Sequence, residues 1–146
     1  MPMAKFEIAG FSIKVFGYER PNSFEYWDAN WLDVAARCEA PGVLVSARGS
    51  FLRTDELRGL RDELLRLNNL SVNQARLDCI EPNLKLTFRR VGSLGRIVVE
   101  LDISPEPKVQ SHHFTLEADL SYIAPAIAAL EKMLEAFPVK GSPDVR

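Results

Sequence analysis

An α+β fold built on a mainly antiparallel sheet is what the sequence predicts, on three observations. Several short runs alternate apolar and polar residues with period two, as antiparallel strands with one wet face do. Two longer stretches, about 54–68 and 121–137, instead carry apolar residues at helical spacing. The order is strands, helix, strands, helix, without the strand–helix–strand alternation of a parallel doubly wound sheet. The expectation is a single domain over 1–140, with about seven strands and two helices packed on one face. Residues 141–146 are expected to form a flexible tail.

Phe6 and Ile8 alternate with polar neighbours, Gly10 marks a turn, and Ile13 and Val15 resume the alternation. Lys5 to Tyr18 therefore reads as a tight hairpin. Pro21-Asn22-Ser23 signals a loop. From Trp31, Leu32, Val34, Ala36 and Cys38 share one strand face, Pro41-Gly42 turns the chain, and Val43 to Arg48 reads as a fourth strand. A helix follows, with Thr54 as its N-cap, Asp55 and Glu56 at its positive end, and Asn68-Asn69 closing it. Leu57, Leu60, Leu64 and Leu67 form its apolar stripe, and the charged residues opposite read as a solvated face.

Strands return at Leu84–Phe88, Ile97–Ile103 and Phe114–Ala118, the first two joined across Gly92-Ser93-Leu94-Gly95. Ser121 is expected to cap the last helix. Its stripe is Ile123, Ile127, Leu130, Leu134 and Phe137, Pro125 sits harmlessly in the first turn, and Pro138 ends it.

At 146 residues with 47% apolar and 26% charged side chains, the chain can bury a core without a metal or disulfide. It has no apolar run long enough to span a membrane, and Met1–Lys5 carries no apolar signal core, so a cytoplasmic protein is expected. Cys38 and Cys79 are expected to be buried thiols in strand-like runs, with a Cys38–Cys79 disulfide as the alternative that nothing in the sequence demands. A net charge of −2 is no footprint for direct nucleic-acid binding.

Catalytic signatures are missing: there is no phosphate-binding glycine loop, no HExxH and no Gly-x-Ser-x-Gly elbow. His112 and His113 are adjacent, so as strand residues they point to opposite faces and read as surface or edge histidines. No catalytic residue, metal or cofactor is expected. The acidic pairs Asp55-Glu56 and Asp62-Glu63 read as solvated helix charges, and Arg89-Arg90 with Arg96 as the soluble flanks of a hairpin tip. A pocket of Asp28, Asn30 and Glu81 is the one enzymatic arrangement worth testing.

The segment from Glu19 to Glu39 stands apart. It has five acids (Glu19, Glu25, Asp28, Asp33, Glu39) against two bases, and the aromatics Phe24, Tyr26, Trp27 and Trp31. Aromatic patches poor in lysine are typical of interface centres. Trp31 starts a strand and is expected to anchor against the core. Glu19, Phe24, Glu25, Tyr26, Trp27 and Asp28 are the candidate protein-binding residues.

Gly17-Tyr18-Glu19-x-Pro21, Asp28-Ala29-Asn30-Trp31-Leu32-x-Val34, Glu81-Pro82-Asn83-Leu84 and Phe137-Pro138-Val139-Lys140 occur in an order that resembles the bacterial WapI-type immunity proteins. The likeness runs from Phe6 to Lys140, and the Asp-Ala-Asn-Trp-Leu string is its most specific element. It implies a small cytoplasmic, non-catalytic protein whose partner is a cognate toxin C-terminal domain of nuclease type, neutralised by occlusion of its active site. The sequence departs from the family pattern at Pro105-Glu106-Pro107-Lys108, where a Trp often follows the Pro, and in Val43 to Arg48, which lacks an aromatic. A structural or regulatory domain that self-associates as a homodimer is the alternative.

Overall fold

The computed structural model describes residues 4–143, so the last three residues of the expected tail lie outside the described residues. Among the described residues the order is β1 (Ala4–Ile8), β2 (Phe11–Tyr18), α1 (Tyr26–Ala29), β3 (Trp31–Ala40), β4 (Val43–Arg53), α2 (Thr54–Asn68), β5 (Gln74–Asp78), β6 (Leu84–Val91), β7 (Arg96–Ile103), β8 (His113–Asp119), a 3-10 turn (Leu120–Tyr122) and α3 (Ile123–Ala136). The strands form two antiparallel four-stranded sheets, β1-β2-β3-β4 and β5-β6-β7-β8. The α+β class is as the sequence predicts. The single sheet of about seven strands is replaced by two sheets, each a simple meander, with α2 carrying the chain from one to the other.

The first hairpin closes on Ala9-Gly10, both with positive φ (52° and 94°), in the register Ile8↔Phe11. Positive φ at both central residues is the two-residue hairpin geometry that matches strand twist. Gly10 is required twice over, because a Cβ there would lie 2.5 Å from the Glu39 carbonyl oxygen. The fourth strand runs to Arg53, past the expected end at Arg48. A bulge between Leu32 and Val34 resets its register, pairing Leu32 with Leu52 and Val34 with Gly49. Beyond it Phe51, Leu52 and Arg53 are all buried, so the period-two signal disappears there.

The inward faces of both sheets and the buried stripes of α2 and α3 join one hydrophobic cluster. Leu32, Val34, Ala36 and Cys38 of β3 meet it, as do Leu57, Leu60, Leu64 and Leu67 of α2. In α3 the stripe is Ile123, Ala126, Ile127, Leu130 and Met133, with Leu134 and Phe137 only partly buried at its edge. Ser121 is not the cap of α3: it lies in the 3-10 turn, where its N–H donates to the Asp119 side chain at 2.9 Å.

The extra strand, β5, was too short to be legible, since Ala75 and Leu77 are its only buried positions. Its outer edge is covered by α2. The Glu63 carboxylate accepts the Arg76 N–H at 2.9 Å, and Glu56 accepts the N–H groups of Arg53 and Ile80, each at 2.8 Å. These glutamates are therefore not merely solvated helix charges: Glu63 satisfies a donor on the edge of β5, and Glu56 caps its own helix at the Arg53 N–H and holds the Ile80 N–H just past β5. Burial pushes the Glu56 carboxyl above its usual range. Cys38 is fully buried and Cys79 lies just beyond β5; both are free thiols, raised chiefly by burial.

Candidate functional site

The candidate site is the segment 18–31, folded over the outer end of the first sheet around a buried cation. Arg53 ends β4 opposite Trp31 in the β3–β4 register, and its side chain is only 1% exposed. Its guanidinium donates to the Trp27 carbonyl at 2.8 Å, the Tyr26 carbonyl at 3.1 Å and the Asp55 carboxylate at 2.8 Å. The rings of Tyr26, Trp27 and Trp31 surround it with centroids 5.1, 5.3 and 5.1 Å from its carbon centre. A buried charge is tolerable only when its donors are matched, and all three nitrogens of Arg53 are matched.

This cation explains why the segment makes a helical turn where the sequence suggested an irregular loop. The carbonyls of Tyr26 and Trp27, which a single turn leaves free, point to Arg53. Thr54 is not the N-cap of α2 either. It is buried in the first turn and donates its hydroxyl to the Phe137 carbonyl at 2.9 Å, while Arg53 holds the cap position.

Asn30 is fully buried, and its amide is fully used. Its Nδ2 donates to the carbonyls of Tyr26 and Lys140, each at 2.9 Å, and its Oδ1 accepts the Lys140 N–H at 2.8 Å. Tyr18 adds a hydroxyl bond to the Pro138 carbonyl at 2.5 Å and an edge contact with Phe137 at 5.6 Å. Lys140 returns across the segment: its ammonium donates to the carbonyls of Pro21 and Ser23 at 3.2 and 3.4 Å and lies 3.9 Å from the Tyr18 ring centroid. Two strings far apart in sequence, Asp28-Ala29-Asn30-Trp31 and Phe137-Pro138-Val139-Lys140, thus fasten each other.

The six candidate binding residues divide accordingly. Phe24 is 78% exposed and Trp27 54% exposed, the latter braced edge-on against Tyr26 at 4.8 Å. Tyr26 is half-buried, with its hydroxyl donating to Asp55 at 3.0 Å, and burial is the first cause of its raised pKa. Glu19 and Glu25 are exposed with no side-chain partner among the described residues. Asp28 makes an open pair with Arg20 at 3.7 Å. Asp33 and Glu39 are held by Arg48 and Arg37, so the local negative excess narrows to Glu19 and Glu25. Trp31 does not anchor the core as expected. It is half-buried on the outer side with Asp33, because Leu32 takes the inward parity.

The structure does not assemble the pocket of Asp28, Asn30 and Glu81. Asn30 is buried in the fastening just described, and Glu81 lies in the β5–β6 connection of the other sheet. The three arginines near the β6–β7 hairpin are engaged too: Arg89 with Glu100, Arg90 with Val72 and Asn73, Arg96 with Glu117. No cluster of metal-ligating side chains occurs among the described residues. No helix there is long and apolar enough to cross a membrane.

Arg53 was missed by sequence reasoning, since a lone arginine before a helix looks like an ordinary surface residue. The signal available was its place directly after the apolar pair Phe51-Leu52, at the end of a strand.

Comparison with known families matches residues 5–138 to one described as the Immunity protein WapI-like family. No curated protein matches the chain significantly.

Proposed function

We infer that this chain, which belongs to the WapI-like immunity protein family, binds a toxin C-terminal domain through the face of Phe24 and Trp27 and neutralises it without chemistry of its own. The observation that carries the reading is a pair of large aromatic rings held in solvent, Trp27 on a turn whose backbone is fixed by Arg53 and Asn30 and Phe24 in the run just before it. Rigid exposed aromatics lose little conformational freedom on binding and are the side chains that dominate interface energetics. Glu19 and Glu25, both unpaired among the described residues, flank them with negative charge. That chemistry suits a toxin with a basic substrate cleft, as a nuclease has, and neutralisation then follows from occlusion of that cleft. Complementary charge speeds encounter, and buried rings slow release. The setting is the cytoplasm, with one immunity chain per toxin domain; a homodimer is the alternative arrangement.

Co-expression with the toxin C-terminal domain encoded beside its gene tests this. The expected outcome is restored growth and a complex on gel filtration, with Trp27→Ala lowering affinity about 100-fold as a central aromatic anchor does while its melting temperature stays near that of the unaltered chain. Absence of rescue and of a complex, with the chain running as a dimer, favours a self-associating structural domain instead.

A further inference from the structure

We propose that the C-terminal segment from Phe137 to Gly141 is the positioning element of the recognition turn, with the Lys140 ammonium as its clamp, and that it sets how fast the partner is captured. The proposal rests on the reading that Phe24 and Trp27 meet the partner. Between the end of β2 and α1 the chain has little to hold it. Within Arg20–Glu25 the one backbone hydrogen bond is from the Ser23 N–H to the Arg20 carbonyl at 3.1 Å, and Phe24 is largely in solvent. The run is tied at its ends, by the Glu19 N–H on the Trp31 carbonyl, the Glu25 carbonyl under α1 and the open Arg20–Asp28 pair, but the contacts to its middle come from more than a hundred residues away.

Three contacts do so. The Lys140 ammonium donates to the carbonyls of both Pro21 and Ser23, closing the turn from outside. The same nitrogen lies 3.9 Å from the Tyr18 ring centroid and 5.5 Å from that of Phe24, tying the exposed ring to the start of the segment. Next to it the backbone of Gly141 passes against the turn. A Cβ at Gly141 would lie 3.2 Å from the Phe24 carbonyl and 3.3 Å from the Tyr26 N–H nitrogen, and φ there is +69°. An ammonium, with three donors on a flexible stem, can serve two carbonyls and a ring face together. The segment itself is immobilised by Asn30, Thr54 and Tyr18, so the clamp is anchored at its base. Lys140 is thus a positioning residue: it meets the turn's backbone and shapes the surface that docks. Ordering a flexible loop at the moment of binding slows and weakens association, and a clamp that orders it beforehand removes that loss.

Lys140→Met keeps the stem and removes the donors, and Lys140→Arg restores the charge. The expected result for Lys140→Met is amide exchange in residues 20–27 faster by about tenfold with an unchanged melting temperature. Its association rate with the toxin C-terminal domain falls by about tenfold with dissociation little altered. Lys140→Arg recovers most of both. Unchanged exchange in 20–27 overturns the clamp. If Trp27→Ala weakens binding while Lys140→Met leaves the association rate intact, the positioning role is overturned and the recognition face stands. If the turn loosens but neither substitution alters binding, the recognition face itself is wrong, and the rate claim falls with it.

Discussion

At the scale of single residues, the aromatic segment is governed by two polar side chains that hydropathy places on the surface. Arg53 and Asn30 are buried because every polar nitrogen and oxygen of their side chains is partnered, those of Asn30 by backbone alone and those of Arg53 by two carbonyls and the Asp55 carboxylate. Replacing Asn30 removes one acceptor and two donors at once and strands the Lys140 N–H. Asn30→Ala is expected to cost about 2–3 kcal/mol, read as a shift in denaturant midpoint. Loss of less than about 0.5 kcal/mol, the range of ordinary surface substitutions, would mean that the fastening is incidental. The family likeness was legible in these strings, but their physical role was not: an Asn in a loop reads as a turn former until its partner 110 residues away is known.

Elements behave differently at the two ends of the molecule. In the second sheet, His113 of β8 lies between two carboxylates of β7, with Nδ1 2.9 Å from Asp102 and Nε2 2.7 Å from Glu100. Thr115 donates to Glu100 as well, and Arg89 of β6 approaches it at 3.8 Å, with Lys85 of β6 opposite Asp102 in the register. Ionised carboxylates only accept, so both ring nitrogens donate, and the imidazolium form is favoured. The hydrogen bond to Asp102 leads in holding the His113 pKa above its ordinary value of 6.5.

A raised folded-state pKa adds stability that is complete below pH 6.5 and fades as pH climbs through the folded value. The ring is about half exposed (53%), so the effect is small. Thermal melts from pH 5.5 to 8.5 should show a decline that His113→Gln flattens. A parallel decline in both proteins would assign it to other groups. The strands, their parity and the exposure of His113 were readable from period-two alternation. The paired carboxylates were not, because cross-strand register is invisible without the turns that set it.

For the whole molecule, the continuity of the core is the deciding feature. Both sheets and both long helices contribute to one cluster, and α2 lies against β5 through Glu63, and against the chain just past it through Glu56, as well as through its leucines. We expect 1–140 to unfold as one unit. Leu64→Ala, in the middle of the α2 stripe, should cost about 2–5 kcal/mol and lower near- and far-UV circular dichroism transitions together. Two separated transitions would divide the sheets into independent units.

By itself the sequence determined the fold class, seven of the eight strands among the described residues, the span of α2, the approximate span of α3, and most of the residues that face the core. These follow from local periodicity, which a strand or helix imposes on its own residues. It also carried the family, through short strings in a fixed order. Only the tertiary structure decided that the sheet is two sheets, that Arg53 is buried among three aromatics, that Trp31 lies outside the core, and that the C-terminal segment grips the turn bearing Phe24 and Trp27. Each of those depends on which groups meet across long separations, where hydrogen-bond satisfaction of buried polar atoms outweighs the local pattern.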